Sequence, residues 1–200
     1  MRGQRLLPVI GQPQQERADA ARNRQKIIET AAMMIAECGA DNLSLDEVAR
    51  VAGVGVGTVY RRFGDRTGLL YALIDESERR FQAAFLSGQP PLGPGAPPAE
   101  RITAFLRALV DRIVADQGLF LLLEQGGKTD RFSGPYRVHH IHLATLIAQA
   151  CPRADAAFLA DALLAPVNAR LIALQREQRG MTVDEIKSGL TTMAAAITRG

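Results

Sequence analysis

Apolar residues recur at steps of three and four along most of this 200-residue chain. Such a spacing places them on one face of an α-helix, and no run of alternating apolar and polar residues is long enough for a strand. The many Ala and Leu residues and an aromatic content of only 5% also favour helices over sheets. The sequence therefore predicts an all-α protein of about nine helices.

Glycine and proline mark several boundaries between these predicted helices. The first apolar stripe runs from Ile27 to Cys38 and ends at Gly39. Residues 1–21 are polar and carry no such stripe, so we predict a flexible N-terminal arm there. Residues 88–98 contain five prolines and are predicted to form a Pro/Gly loop.

Three short polar motifs predict the starts of further helices. Ser44-x-x-Glu47 and Thr182-x-x-Glu185 have the spacing of a capping box. In this motif the hydroxyl accepts from the backbone N–H of the glutamate, and the glutamate reaches back to the capping residue. Asp65 is a candidate cap for a helix that would follow it.

The overall composition restricts the class of protein only moderately. A net charge of +3 and a pI near 9.2 permit nucleic-acid binding without requiring it. Cys38 and Cys151 lie in apolar helical contexts, so we expect small buried side chains in a reducing compartment rather than a disulfide. Residues 6–10 are too short for a signal peptide, and no stretch approaches the about 18 apolar residues of a membrane span. The predicted location is the cytoplasm, and no cofactor is predicted.

The glycine-rich run VAGVGVGTVYRRFG, residues 51–64, has two possible functions. A phosphate-binding glycine loop would have to follow a strand and open a helix within a βαβ unit. Here a capped amphipathic helix precedes the glycines, and no G-K-[ST] sequence follows them. The context therefore argues against a nucleotide-binding loop.

The alternative is a corner between two helices. Ala49 would allow the helices to touch, Gly53 would supply the positive φ of the turn, and Val59 would fix the second helix on the first. This is the spacing of a helix-turn-helix, whose second helix enters the major groove of DNA. Corners of this kind also occur in proteins that bind no DNA.

The residues that surround the turn favour the DNA-binding interpretation. Gly55 and Gly57 remove side chains from the second helix, so a backbone could approach DNA closely. Hydroxyl groups for phosphates and positive charges follow within one short segment. These residues are Thr58, Tyr60, Arg61, Arg62 and Arg66.

Residues 44–70, SLDEVARVAGVGVGTVYRRFGDRTGLL, resemble the DNA-binding domain of the tetracycline-repressor (TetR) family of bacterial transcriptional regulators. The similarity covers about residues 22–74 and is most specific in A-G-V-x-x-G-T-x-Y-x-x-F. It implies a homodimer with a helix-turn-helix DNA-binding domain over residues 22–66. A helical domain for effector binding and dimerisation would follow over residues 67–200.

The resemblance also implies roles for single residues. Phosphate contacts at helix N-termini would fall to Ser44, Thr58, Tyr60 and Arg66. The base-reading face would include or adjoin Gly55, Val56, Arg61 and Arg62. Two positions depart from the family pattern: Arg66 stands where lysine is common, and Gly68 stands where a better helix former is usual.

The function implied by this resemblance is a sequence-specific transcriptional regulator, most simply a repressor that a small effector releases from a palindromic operator. An activator is equally compatible with the sequence. The alternative is an unregulated or architectural DNA-binding protein whose C-terminal domain only dimerises. We predict no enzyme activity, because the sequence has no nucleophile elbow, paired His-Glu zinc motif or phosphate loop.

Candidate effector contacts are aromatic and polar residues on the interior stripes of the C-terminal part. They are Phe105, Phe120, Phe132, Tyr136, His139 and His140. The same stripes could simply form a core. His139 and His142 lie one helical turn apart, but no Cys or acidic residue nearby in sequence completes a metal site, so none is predicted.

Two long C-terminal helices, near residues 154–178 and 183–198, are predicted to form the homodimer seam. Their apolar stripes are Leu159, Leu163, Val167, Leu171 and Leu174, and Ile186, Leu190, Met193 and Ile197. Pro166 is expected to kink the first of them. The alternative is that both stripes pack only within one chain.

Overall fold

The computed structural model describes the backbone of residues 12–125 and 134–198, and the side chains of residues 18–122 and 134–198. The described residues form ten α-helices, one short 3-10 helix and no strand. The all-α prediction is confirmed. The candidate effector contact Phe132 lies outside the described residues.

The chain divides into two compact units, residues 1–73 and 74–200. The division falls inside a helix, several residues after the predicted boundary between 66 and 67. The first unit comprises α1 (Gln12–Cys38), the 3-10 helix (Ala40–Asn42), α2 (Leu45–Ala52), α3 (Val56–Phe63) and the start of α4 (Arg66–Ser87). The second comprises the rest of α4, α5 (Pro98–Ala115), α6 (Gln117–Gln125), α7 (Pro135–Ala150), α8 (Ala156–Leu164), α9 (Ala169–Glu177) and α10 (Val183–Thr198).

Helix α1 begins at Gln12, inside the predicted flexible arm. Residues 12–21 are helical, which corrects the prediction for this part of the arm; residues 1–11 lie outside the described range. Gln, Glu, Arg and Ala dominate this stretch, and all four are strong helix formers. The helix therefore extends beyond the apolar stripe, which starts only at Ile27 and which alone was used to place its beginning.

The first unit buries the apolar stripe of α1 against α2, and α2 packs on α3. Ile27 and Ala31 of α1 and Val59 of α3 are completely buried. Cys38 at the end of α1 is exposed, so the prediction of a buried thiol is wrong at this position. It lies in the last turn, where the helix has already passed its buried face, and its thiol bonds to the Met34 carbonyl.

The two predicted capping boxes have opposite outcomes. At α10, the Thr182 backbone N–H donates to the Glu185 carboxylate at 2.7 Å and the Glu185 N–H donates to the Thr182 hydroxyl at 3.2 Å, as predicted. At α2, Ser44 makes no side-chain capping bond, so that prediction is wrong. Glu47 instead forms two hydrogen bonds with Arg50, one turn along the same helix.

The predicted helix near 154–178 is two helices, α8 and α9, with a bend of 47° between them. Pro166 lies in the break and has no N–H to continue the helix. The Asn168 side chain then caps α9 by accepting from the Leu171 N–H at 2.8 Å. The sequence predicted the position of this change in direction correctly, but it predicted a kink within one helix rather than a break between two helices.

The core of the second unit collects apolar residues from α4, α5, α7, α8, α9 and α10. It includes Leu163, Val167, Ile186 and Leu190, which were predicted to form the seam between protomers. These four side chains are buried within one chain, so they cannot contact a partner. A dimer through α8 and α10 would have to use other faces of those helices.

Among the described residues, no single helix is long and apolar enough to cross a bilayer. Only α8 and α9 taken together pass such a test of length and composition. Leu163 and Ile172 of this pair are completely buried in the core of the second unit.

Candidate functional sites: an exposed helix-turn-helix corner and a buried ion-pair network

The corner formed by α2, the turn and α3 has the predicted helix-turn-helix form. Gly53 follows α2 with φ 62° and ψ 40°, a left-handed conformation that a residue with a Cβ adopts only at a cost. Ala49 and Val59, predicted as the contact residues of the two helices, are both fully buried. The turn glycine and these two residues therefore satisfy the requirements of the fold.

Gly55 and Gly57 differ from Gly53 because the fold does not require a glycine at either position. Gly55 has an ordinary φ of −65°. A Cβ on Gly55 would lie 3.8 Å from the Thr58 hydroxyl, a normal contact, and one on Gly57 would meet nothing within 4 Å. The absence of side chains here leaves backbone open on the outer surface of α3.

Most of the predicted DNA contacts lie on exposed surface around this open backbone. Val56 and Tyr60 of α3 are 43% and 46% exposed. Arg61 is exposed and Thr58 is half-buried. Ser44 is exposed at the start of α2, and neither α2 nor α3 has a side-chain cap. Both helix N-termini therefore present backbone N–H groups that could bind phosphate.

Two of the predicted arginines are instead engaged within the first unit. The Arg62 guanidinium donates from Nη1 to the Ala20 carbonyl of α1 at 2.8 Å. Arg66 donates from Nη2 to the Ala40 carbonyl at 2.5 Å and lies 3.6 Å from the Asp41 carboxylate. Either side chain would have to exchange partners, or use its remaining nitrogen atoms, to bind DNA.

Gly68, a departure from the family pattern, has a steric cause that sequence reasoning missed. A Cβ at this position would lie 1.9 Å from the Phe63 carbonyl oxygen at the end of α3. The Gly68 N–H also donates to the Asp65 carboxylate at 2.8 Å, which confirms Asp65 as the cap of α4. The tight connection from α3 to α4 therefore requires glycine here, although glycine is a poor helix former.

A buried ion-pair network lies in the second unit and consists of Glu78, Arg112 and His139. The Glu78 carboxylate lies 3.0 Å from Nη1 of Arg112 and 2.9 Å from Nε2 of His139. All three side chains are less than 10% exposed. Arg112 also bonds from Nε to the Ser77 hydroxyl at 3.1 Å, and Ser77 donates to Asp116 at 2.5 Å.

Aromatic rings surround this network. The Arg112 guanidinium lies 5.2 Å from the centre of the Phe120 ring and 6.0 Å from that of Phe81. The His139 ring makes edge-to-face contacts with Phe81 and Phe105, at centroid distances of 5.4 and 5.5 Å. The three predicted pocket residues Phe105, Phe120 and His139 are therefore brought together around charged groups.

The network keeps Glu78 ionised. Burial by itself raises the pKa of this carboxyl, but the hydrogen bond with His139 and the charges of His139 and Arg112 outweigh it, so the pKa lies below its ordinary value. Burial lowers the pKa of Arg112, against the opposing charges of Glu78 and Asp116. At neutral pH Glu78 and Arg112 are both charged in an apolar surrounding, where removal of one member of an ion pair strongly destabilises the fold.

Sequence analysis did not identify Glu78 or Arg112 as site residues. Charged residues on helices usually face solvent, and the partners lie far apart along the chain. One signal was present: Glu78 precedes Phe81 by three positions and Phe85 by seven, so it falls on the buried face of α4.

Tyr136 and His140, the other described pocket candidates, form a separate cluster between α7 and α8. The Tyr136 hydroxyl donates to the Asp161 carboxylate at 2.6 Å. Nε2 of His140 lies 3.1 Å from the Ala157 carbonyl and 3.4 Å from Asp161. Phe132 lies outside the described residues, so the structure does not add it to either group.

His142 is a further titratable group that the sequence reading treated only as a potential metal ligand. Its ring lies 4.4 Å from Phe85 and 5.1 Å from Phe105, and its Nε2 is buried without a hydrogen-bond partner. Burial, together with the charges of Arg101 and His139, lowers its pKa to about 4. His142 is therefore neutral at physiological pH.

Comparison with known proteins gives the family of the corner. Residues 27–73 match the family model described as bacterial regulatory proteins of the tetR family. Residues 27–73 therefore form a TetR-family domain. A helix-turn-helix (HTH)-type transcriptional regulator of Staphylococcus aureus (strain USA300) is 43% identical to this chain over 58 residues, which are 29% of this chain and 31% of that protein. The match thus spans about a third of the curated relative.

Solved structures of TetR-family proteins share the fold over most of the chain. A TetR-family transcriptional regulator from Streptomyces coelicolor has a TM-score of 0.66 at 18% identity, covering 88% of this chain and 80% of that one. AibR, solved with isovaleryl coenzyme A and operator DNA, has a TM-score of 0.58 at 21% identity, covering 86% and 97%. At these identities the likeness establishes the fold of the second unit and not its function.

Proposed function

We propose that this chain is a transcriptional repressor that binds a palindromic operator as a homodimer and is released from it by a small effector molecule. The observation that carries the proposal is the outer surface of α3. Gly55 and Gly57 leave its backbone open although the fold would accept a side chain at both positions. A surface that excludes side chains without an internal reason suits close approach to the DNA backbone and bases.

The proposed DNA contacts fall into two groups. Uncapped N–H groups and hydroxyls at Ser44, Thr58 and Tyr60 are suited to phosphates, which position the protein without reading sequence. The exposed Val56 and Arg61 are suited to base edges, Arg61 as a bidentate donor to guanine. Arg62 and Arg66 were predicted for the same surface and remain candidates, subject to release from Ala20 and Ala40.

The proposed effector site is the aromatic surrounding of the ion-pair network. Phe105, Phe120 and His139 offer apolar and stacking contacts next to a fixed positive and negative charge. Apolar walls with a few convergent polar groups are typical of small-molecule sites. Tyr136, His140 and Phe132 remain predicted contacts. AibR, with its bound acyl coenzyme A, supports ligand binding by a protein of this fold.

The proposed dimer surface uses faces of α8 and α10 that the core leaves exposed. Phe158 of α8 is 68% exposed and Met193 of α10 is 41% exposed, and the two helices pack against each other. Exposed large apolar side chains on adjacent helices are typical of protein–protein contacts. Two protomers related by a two-fold axis would present two copies of α3 to symmetric half-sites.

Fluorescence anisotropy tests the proposal directly. The protein is titrated against DNA from upstream of its own gene and against an unrelated duplex, across a range of salt concentrations. We expect selective binding that survives near-physiological salt and is weakened by Thr58→Ala and by Tyr60→Ala. Thr192→Ala, a matched change on the exposed side of α10, should have no effect.

The outcomes separate the proposal from its alternatives. Equal, weak binding to both duplexes that disappears with salt would contradict a sequence-specific regulator. Selective binding that no small molecule displaces, with no saturable ligand binding by calorimetry, would instead support the unregulated DNA-binding protein. Reporter expression in cells that lack and contain the protein distinguishes a repressor from an activator.

A further inference from the structure

Positive charge in the first unit is concentrated outside the region that matches the family model. Residues 27–73 contain four basic and six acidic residues, a net charge of −2, although this is the matched DNA-binding segment. Residues 1–26 contain six basic and two acidic residues, a net charge of +4. Neutralisation of phosphates by basic residues supplies most of the non-specific affinity for DNA. The negative net charge of residues 27–73 is therefore unfavourable for DNA binding by this segment alone.

The helical part of this basic segment is attached to the candidate DNA-binding helix. The Arg62 guanidinium of α3 donates to the Ala20 carbonyl of α1 at 2.8 Å, across 42 residues of sequence. Lys26 of α1 lies next to the turn that precedes α3, because a Cβ on Gly53 would be 3.7 Å from its ammonium nitrogen. Two separate contacts therefore place residues 20–26 of α1 beside the corner.

Most side chains of residues 18–26 are exposed, while Ala20, Arg24 and Gln25 are half-buried. Arg22 and Lys26 are exposed, and the apolar stripe that holds α1 in the unit begins only at Ile27. Arg22 pairs with Asp19 one turn earlier, also at the surface. Such a pair is held weakly in water, so its arginine can exchange the carboxylate for a phosphate.

We infer that residues 18–26 of α1 form a second DNA-contacting surface, which binds phosphates beside the bases read by α3, and that Arg62 is the positioning residue that holds it there. The inference rests on the proposed DNA-binding function. It changes the role predicted for Arg62, whose contact with Ala20 fixes α1 rather than reading a base. Phosphates are the expected partners because Arg22 and Lys26 supply charge from a helix that lies beside, and not within, the reading surface.

The first experiment measures how DNA affinity depends on salt, for the upstream duplex and for the unrelated one. Each lost phosphate contact should lower the slope of log K against log salt by about 0.9. Arg22→Gln/Lys26→Gln should therefore lower it by about 2 per bound protomer on both duplexes. Arg153→Gln/Arg179→Gln removes the same charge from exposed positions of the second unit and should leave the slope unchanged.

The second experiment tests Arg62 in the DNA-free protein by hydrogen exchange. Arg62→Ala should increase exchange of the amides of residues 18–24, whereas Arg61→Ala should leave them unchanged and still weaken DNA binding. The triple variant that combines Arg62→Ala with Arg22→Gln/Lys26→Gln should lose less DNA affinity than the sum of the two separate losses, because both changes act on the same contact surface.

Three results would overturn the inference. The first is an unchanged salt slope in Arg22→Gln/Lys26→Gln while the wild type still selects its upstream DNA; this leaves the proposed function intact. The second is an equal loss of slope in the control variant, which would indicate a general charge effect. The third is an Arg62→Ala variant with normal exchange and a loss confined to the upstream duplex, which would restore Arg62 as a base reader. A wild type that binds neither duplex would reject the proposed function as well.

Discussion

Two ion pairs, Glu47–Arg50 in the first unit and Glu78–Arg112 in the second, differ in their exposure to solvent. In the first unit, Glu47 and Arg50 pair on the exposed surface of α2, and Arg61 faces solvent. In the second, Glu78 and Arg112 pair at less than 10% exposure among phenylalanine rings. The first arrangement leaves side chains available to an external partner. The second arrangement, together with His139, joins α4, α5 and α7 within the core of the second unit.

The sharpest test of this contrast removes the carboxylate of each pair. Glu78→Gln removes the carboxylate that pairs directly with the buried Arg112 and should lower the free energy of unfolding by about 3 kcal/mol. Glu47→Gln breaks a pair that water already screens and should have no measurable effect. Urea unfolding followed by circular dichroism measures both. Equal, small changes in the two variants would mean that Glu78 is not the ionised partner described above.

The glycines of the corner should separate folding from binding within one motif. Gly53→Ala forces a Cβ into a left-handed conformation and should cost about 1–2 kcal/mol of stability. Gly57→Ala meets no neighbour and should leave the stability equal or slightly raised. Its methyl group would, however, stand on the DNA-facing backbone and should weaken operator binding by about tenfold, or about 1.4 kcal/mol. Normal operator affinity in Gly57→Ala would contradict close backbone approach.

The low pKa of His142 should make the stability of the second unit depend on pH. The folded protein keeps this histidine neutral down to about pH 4, whereas the unfolded chain binds a proton near its ordinary pKa of 6.5. The folded state therefore has its full stability with respect to this histidine above pH 6.5, and it loses stability progressively as the pH falls toward 4. Allowing for partial exposure, we expect a loss of roughly 1 kcal/mol between pH 7.5 and 5.0.

The matched control for that experiment is His142→Gln, which removes the titration and should flatten the dependence. Glu78 does not interfere in this range, because its pKa is lowered and its stabilisation is lost only at more acidic pH. Thermal unfolding at the two pH values compares the proteins. The same slope in wild type and His142→Gln would assign the effect to another group.

The two capping motifs predict the smallest difference in stability. Thr182→Ala removes a hydroxyl that accepts from the Glu185 N–H and should cost about 1 kcal/mol. Ser44→Ala removes a hydroxyl that makes no capping bond and should leave stability unchanged while reducing DNA affinity. Chemical denaturation and anisotropy, measured on both variants, check the pair. A stability loss in Ser44→Ala equal to that of Thr182→Ala would show that the capping box at α2 does form.

The same contrast explains what the sequence could predict. The helix-turn-helix was identified because its determinants are local: Gly53 sets the turn, and Ala49 and Val59 lie within ten residues of each other. The capping box of Thr182 and Glu185 was predicted correctly for the same reason, because its two residues are close in sequence. The capping box predicted at Ser44 does not form, because the Glu47 carboxylate accepts from Arg50, one turn farther along the helix. The motif contains only the capping residue and the glutamate, so it gives no sign of this competing partner.

Longer-range features were less accessible. The ion-pair network joins residues 61 positions apart in sequence, and no local pattern reports such a pairing. The stripes of α8 and α10 were correctly recognised as apolar, but periodicity does not distinguish a core from a dimer seam; Leu163 and Leu190 proved to be core. The predicted start of helix α1 was too late because residues 12–21 lack the apolar stripe on which the prediction rested and are rich in strong helix formers.

Hydroxyl-radical footprinting of the upstream DNA shows whether α3 reads an operator. Reading by a symmetric pair of α3 helices should give two protected segments about one helical turn apart and related by two-fold symmetry. Both should disappear in Tyr60→Ala at protein concentrations where Thr192→Ala still protects them. A single asymmetric footprint, or protection that Tyr60→Ala leaves intact, would contradict reading by a symmetric pair of α3 helices.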